Sequence, residues 1–290
     1  MLSQAIFLDF DEDRQCFPLK DDAMRLHVGY GLVYECTQPT PMMLMLNTHF
    51  SRVQDVIVPD LLVLDPPVAI TQYRDGFGNL CSRLVAPVGR IAMSTTAVLE
   101  VSDQPEQRGP FGYQHSVETL PDECLVFLLG SRYCETDLLS EAAWQLFGNT
   151  PLGRERVQAV CDFVHRHITF GYEFARPTKT AWEVFQDRKG VCRDFAHLAV
   201  ALCRALNIPA RYCTGYISDV GLPPPYSAMD FAAWFEAYIG GSWQTFDPRN
   251  NAPRTGRVLM AHGRDAADVA LTNAFGPATL TGFSVHCLAE

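Results

Sequence analysis

The stretch GVCRDFAHLAVALCRALNIPARYCTGY, residues 190–216, decides how the chain folds. Lys189-Gly190 is a turn signal, and a helical period starts at Cys192. Phe195, Leu198, Ala199, Leu202, Ala205 and Leu206 then face one way, which is the stripe of a helix laid on a core. Asn207-Ile208-Pro209 ends it, since proline cannot continue a helix. ARYCTGYIS reads as the strand that follows. Cys192 therefore opens a helix. Unpaired N–H groups and the positive end of the dipole favour an anion there, which predicts a lowered thiol pKa and a populated thiolate. Its own backbone N–H is placed to donate to an oxyanion. The plainer reading is that Cys192 is one small buried hydrophobe among ten cysteines; its position at a helix start sets it apart from the other nine.

The second informative stretch is FAAWFEAYIGGSWQTFD, residues 231–247. Gly240-Gly241 is a two-residue hairpin signal. Counting back from it, Phe231, Ala233, Phe235, Ala237 and Ile239 share one apolar face. Ala232, Trp234, Glu236 and Tyr238 share the other. The pairing sets Ile239 opposite Ser242 and Trp234 opposite Asp247. Asp247 is then the diagonal neighbour of Ala232, about 7–8 Å away. A histidine at position 232 would be held through Nδ1 by Asp247 and present its other nitrogen to a thiolate, as a Cys–His–Asp triad requires. Position 232 is alanine, and none of the eight histidines lies on this hairpin. His197, five residues along the Cys192 helix, and His262, some 15 residues after the hairpin, are the remaining candidates for a substitute. Asp247 also has a simpler reading, a strand-end turn residue before Pro248.

Outward from these stretches, SEAAWQLFG and GRERVQAVCDFVHRHITF read as helices. In the second, Val157, Val160, Cys161, Val164 and Ile168 form one stripe, with His165 and His167 beside it in solvent. Residues 24–103 read as short strands broken by DPP and DGFGN, a small β-sandwich or barrel. Residues 104–122 read as a linker and 1–23 as a leader. Residues 123–290 form the candidate catalytic domain, whose tail from 252 has no distinctive motif. A net charge of −10 disfavours nucleic acid and anionic membrane as partners. No apolar run is long enough to cross a bilayer. The absence of any CxxC pair excludes zinc-ribbon and thioredoxin readings, and the chain length with no signal-like N-terminus predicts reduced thiols and a cytoplasmic location. No clustered ligands suggest a metal, and nothing calls for a cofactor.

With these residues in view, the segment from about 121 to 264 resembles the transglutaminase-like cysteine peptidase superfamily in its bacterial form. The matching pieces are the helix before ITFGY, GVCRDFAHLAVALCRALNIPARYCTGY, and AWFEAY-IGGSW-TFDPRNN. The segment 24–103 resembles the N-terminal β domain that accompanies this core. The resemblance implies an α+β fold in which a cysteine-bearing helix packs on an antiparallel sheet, as in papain. It implies Cys192 as nucleophile, position 232 as the general base, and Asp247 as its orienter. In the family the hairpin normally reads His-Ala-Trp, where this chain has Ala232-Ala233-Trp234. Tyr172, Trp182 and Trp234 are candidates for oxyanion or substrate contacts. The implied activity is a peptidase or amidase acting on peptide or protein amides through a Cys-acyl intermediate, with transfer to an amine as the alternative. The chain as given is expected to be dead or crippled. The intact remainder of the site favours an engineered alanine; a natural pseudoenzyme that binds peptides or scaffolds a partner is the other origin.

Overall fold

The computed structural model describes residues 22–107, 109, 112–226 and 228–290. The leader up to residue 21 lies outside the described residues. The alternating run that starts at Met24 forms β1 (Ala23–Cys36), whose inward residues Leu26, Val28, Tyr30 and Leu32 are buried. It is followed by β2 (Thr40–Leu44), β3 (Val56–Val58), β4 (Val63–Asp65), β5 (Thr71–Arg74), β6 (Leu80–Ala86) and β7 (Gly89–Ser102). A helical unit comes next, with α1 (Asp122–Leu125), α2 (Thr136–Phe147), α3 (Arg154–His167), β8 (Thr169–Phe170), α4 (Ala181–Asp187), β9 (Lys189–Gly190) and α5 (Cys192–Ala205). The chain continues through β10 (Ala210–Ile217), β11 (Ala232–Ile239), β12 (Ser242–Phe246), β13 (Arg257–Gly263), β14 (Thr272–Ala274) and β15 (Ala278–Ala289).

The β strands make three principal sheets. One runs β15-β1-β7-β3, with β4 also on β7; the second runs β14-β2-β6-β5; the third runs β12-β11-β10-β13. The first two bury Leu26, Leu44, Met93 and Leu99 between them, which is the sandwich predicted for 24–103. The tail did not reveal its destination in the sequence. The expectation places it in the C-terminal unit, yet β15 pairs with β1 from Leu26↔Ala289 to Cys36↔Ala278, and β14 pairs with β2. The last strands therefore complete the sandwich formed by the first. β15 lies at a sheet edge and is mostly exposed, so its sequence lacks the sharp alternation of a half-buried strand.

The third sheet carries the helices. α5 is the central element: Phe195, Leu198, Ala199 and Leu202 are buried with Val157, Val160 and Val164 of α3 and with Phe235, Ala237 and Ile239 of β11. The fold is thus α+β, with the Cys192 helix packed on an antiparallel sheet. Asn207 has φ +59°, the left-handed stop that the NIP signal requires. Gly240 and Gly241 have φ +61° and +82°, which fits the two-residue turn and fixes the register at Ile239↔Ser242 and Phe235↔Phe246. Described residues of the stretch read as a linker contact the third sheet. Tyr113 O accepts from Gly240 N at 2.9 Å, and Glu106 reaches Arg257 on β13.

Candidate active site

Cys192 is the first residue of α5. Among the described cysteines it alone has partial solvent access; the others are buried. The helix start is secured by Asp194, whose buried carboxylate accepts from Val191 N at 2.9 Å and pairs with Arg193 at 3.1 Å. An acidic residue three positions into a helix, in GVCRD, was the available sequence signal for this role. The Cys192 sulfur meets the backbone N–H groups of Ala233 and Arg193, which places the thiol beside position 232 at the start of β11. Helix and hairpin, far apart in sequence, thus meet at Cys192 and Ala233.

The thiol pKa moves opposite to the expected direction. It is pushed up to about 11, first by burial and next by the negative charge of Asp230. The two N–H groups and Arg249 oppose this without overcoming it. A helix N-terminus by itself does not offset desolvation of a thiolate when no neighbouring imidazolium supplies charge.

Asp247 follows β12 and is 7% exposed, so its carboxylate needs partners. It has four. Oδ1 accepts from Arg249 N at 3.1 Å and Asn250 N at 3.0 Å. Oδ2 accepts from Asn250 Nδ2 at 2.7 Å and Arg257 Nη2 at 3.0 Å. Arg257 donates through Nε to Glu106 at 2.5 Å, and its guanidinium lies 4.6 Å from the centre of the Trp234 ring. Asp247 organises the turn after the strand, as its simpler reading has it, and also pairs with the buried Arg257 guanidinium. Neither Arg257 nor Glu106 carried a local signal, because each acts through a partner remote in the chain.

The other predicted residues separate. Tyr172 is 56% exposed and stands within electrostatic reach of both Cys192 and Asp230, which with burial raise its pKa. Trp182 belongs elsewhere, stacked on Phe185 at 6.0 Å against the helical core. Trp234 is 1% exposed beneath Arg257 and offers no open surface to a substrate. Of the two substitute histidines, His197 is fully buried between Tyr133 and Tyr212, and its Nε2 accepts from Ala266 N at 3.1 Å. His165 and His167 do more than face solvent. His165 Nδ1 lies 3.0 Å from Arg249 O, beside the Asp247 turn, and His167 Nε2 lies 2.8 Å from Phe185 O.

His262 packs against His49 with the rings tilted and their centres 4.9 Å apart, and aligns with Cys213 in the β10–β13 register. Burial and Arg211 lower the His262 pKa to about 3; burial, Arg211 and Arg74 lower that of His49 to about 4, against Asp75. Both imidazoles are therefore neutral in the folded protein. Below about pH 6.5 the unfolded chain takes up protons that the folded chain refuses, so stability is complete above that pH and falls as pH drops toward 4. Each neutral histidine contributes a slope of up to about 1.4 kcal/mol per pH unit in that window. Urea midpoints at pH 7.5 and 5 should show the loss, and His262→Asn should flatten it. An unchanged slope would assign the acid sensitivity to other groups.

The sequence and the fold agree on kinship. Residues 143–248 match the transglutaminase-like superfamily. A protein of Mycobacterium leprae is 37% identical over 254 residues, covering 85% of this chain and 90% of that one. A protein of Mycobacterium tuberculosis is 30% identical over 240 residues, covering 72% and 73%. The crystal structure of a candidate cysteine protease from Cytophaga hutchinsonii superposes with a TM-score of 0.80 at 32% identity, over 92% of this chain and 91% of that one. With its cysteine-bearing helix inside the matched residues 143–248, this chain belongs to the transglutaminase-like superfamily.

Proposed function

We propose that this chain is a cysteine amidase or peptidase in which Cys192 attacks the amide carbonyl of a peptide or protein and carries the acyl group. The observation that supports this most is the partly exposed Cys192 thiol at the start of α5, held against the Ala233 N–H beside position 232. The Cytophaga hutchinsonii neighbour, described as a candidate cysteine protease, supports the same chemistry. The first-turn N–H of Cys192 serves the oxyanion, since a helix leaves such donors without internal acceptors. Tyr172 borders the acyl position. With a thiol pKa of about 11, roughly one thiol in ten thousand is ionised at pH 7, so turnover without an imidazole is slow. Water is the simplest acceptor of the acyl group; transfer to an amine needs a pocket that excludes water.

The origin of Ala232 bears on this reading. A deliberate removal of histidine would strip Asp247 of a donor. Asp247 instead has four donors, one of them from Arg257, which is braced by Glu106. That arrangement favours a natural lineage without the imidazole over an engineered alanine. A histidine codon at position 232 of the native gene would overturn it. For the chemistry, p-nitrophenyl acetate should leave an acetyl group on Cys192, seen by mass spectrometry of the intact and digested protein. Cys192→Ala should lose at least 99% of that label. Labelling that persists in the Cys192→Ala protein would remove Cys192 from the role.

A further inference from the structure

We propose that Arg249 is a specificity-determining residue of the Cys192 site: it binds a carboxylate one or two residues from the scissile amide. The substrate is then a peptide with an acidic side chain there, or one cut close to its free C-terminus. The inference rests on Cys192 being the nucleophile that the amide approaches.

Arg249 spans the two elements that meet at the thiol. On the hairpin side its backbone is held in the turn after β12. Its N–H donates to Asp247 Oδ1 at 3.1 Å, and its carbonyl oxygen lies 3.0 Å from His165 Nδ1. On the helix side its guanidinium lies over the Phe170 ring, 4.4 Å from the centre. Phe170 pairs with Gly190 in the β8–β9 ladder, and Gly171 N donates to Gly190 O at 3.1 Å. Gly190 stands two residues before Cys192. The Phe170 ring also faces Phe195, in the first turn of α5, at 6.4 Å, and Tyr172 meets it edge-on at 5.3 Å. The guanidinium is therefore held beside the first turn of α5, with the exposed Tyr172 against the same ring. In line with that placement, the Arg249 charge acts on both the Cys192 thiol and the Tyr172 hydroxyl.

The other arginines around the site carry carboxylates. Arg257 pairs with Asp247 at 3.0 Å, Arg254 with Asp219 at 3.7 Å, and Arg193 with Asp194 at 3.1 Å. Among the described residues, no Asp or Glu side chain pairs with the half-buried Arg249 guanidinium. Its Nη1 donates to the neutral Asn250 Oδ1 at 2.8 Å, which leaves Nε and Nη2 without an acceptor among those residues. A guanidinium carried on an aromatic face keeps its donors in its own plane, where they match a carboxylate bidentately. Its contact with the ring also limits the side-chain freedom lost on binding. A glutamate carboxylate one or two residues from the scissile amide lies roughly 5–12 Å from it along an extended chain, so a cation beside the thiol selects it without touching the reacting atoms. The chain as a whole, at −10, repels acidic peptides, so the attraction depends on this local cation.

The test reads protection of Cys192 from iodoacetamide in the whole chain at about pH 9, by mass spectrometry, and needs no turnover. The peptides Ac-Ala-Glu-Ala-NH2 and Ac-Ala-Gln-Ala-NH2 differ only in a side-chain carboxylate. Ac-Ala-Ala-Ala-OH and its C-terminal amide differ only in the terminal one. In the parent protein the acidic member of at least one pair should protect at about one-tenth of the concentration its neutral counterpart needs. The pair that discriminates assigns the carboxylate to a side chain or to a C-terminus. Arg249→Met keeps the length and the contact with Phe170, and should bring that ratio to about 1, while Arg249→Lys should keep part of it. Lost packing would weaken both members of a pair alike, so the ratio separates recognition from a purely structural role. Equal protection, or none, by both pairs in the parent overturns the proposal, as does a ratio that persists in a folded Arg249→Met protein. The Cys192 reading fails separately, on p-nitrophenyl acetate labelling that survives Cys192→Ala.

Discussion

Ala232→His is expected to raise the rate at which iodoacetamide alkylates Cys192 at pH 7 on the order of 10²-fold, and to bring amide turnover with it. Two opposing effects set the size. The present thiol has a pKa of about 11. A neighbouring imidazolium brings such thiols to about 7 or below, which raises the ionised fraction by about 10⁴. A less basic thiolate is also a weaker nucleophile, with a Brønsted slope of about 0.4–0.5, so four pKa units return roughly 10² of that gain. The hairpin register supports the placement, because position 232 is next to the Ala233 N–H that meets the sulfur. The constraint is Asp247, whose four donors must rearrange before it can accept from the new ring. Alkylation within threefold of the parent in a folded variant would show that Arg257 keeps the carboxylate and that position 232 alone does not rebuild a triad.

Arg257→Ala should destabilise the protein by about 3–5 kcal/mol, because it leaves the buried Asp247 carboxylate without its paired cation. The side chains of Arg257 and Asp247 are 5% and 3% exposed, and Glu106 completes the cluster from a segment that crosses over the third sheet. Each kcal/mol corresponds to roughly 2–4 °C for a chain of this size, so the melting temperature should fall by about 10 °C. The double variant Arg257→Met/Asp247→Asn should lose much less, since it removes both charges and keeps the volume. If the two variants melt alike, the guanidinium acts through packing on Trp234 rather than through the ion pair. The cluster also shows how Asp247 is satisfied without an imidazole, which a triad reading of the sequence did not anticipate.

The sequence by itself determined the elements whose physics is local. The stripe from Phe195 to Leu202, the Asn207 stop and the Gly240-Gly241 turn each follow from spacing and backbone preference within a few residues. Those rules also set the hairpin register, because a two-residue turn leaves one register that buries Phe235, Ala237 and Ile239; that position 232 lies near Cys192 came from the assembled fold. Only the tertiary structure decided the rest. Periodicity says which face is buried, not which remote segment covers it. It therefore could not bring Glu106 and Arg257 to Asp247 or return β15 to β1. The thiol pKa followed the same logic. The helix start is written locally and predicts a thiolate, whereas burial and the Asp230 charge arise from assembly and raise it to about 11.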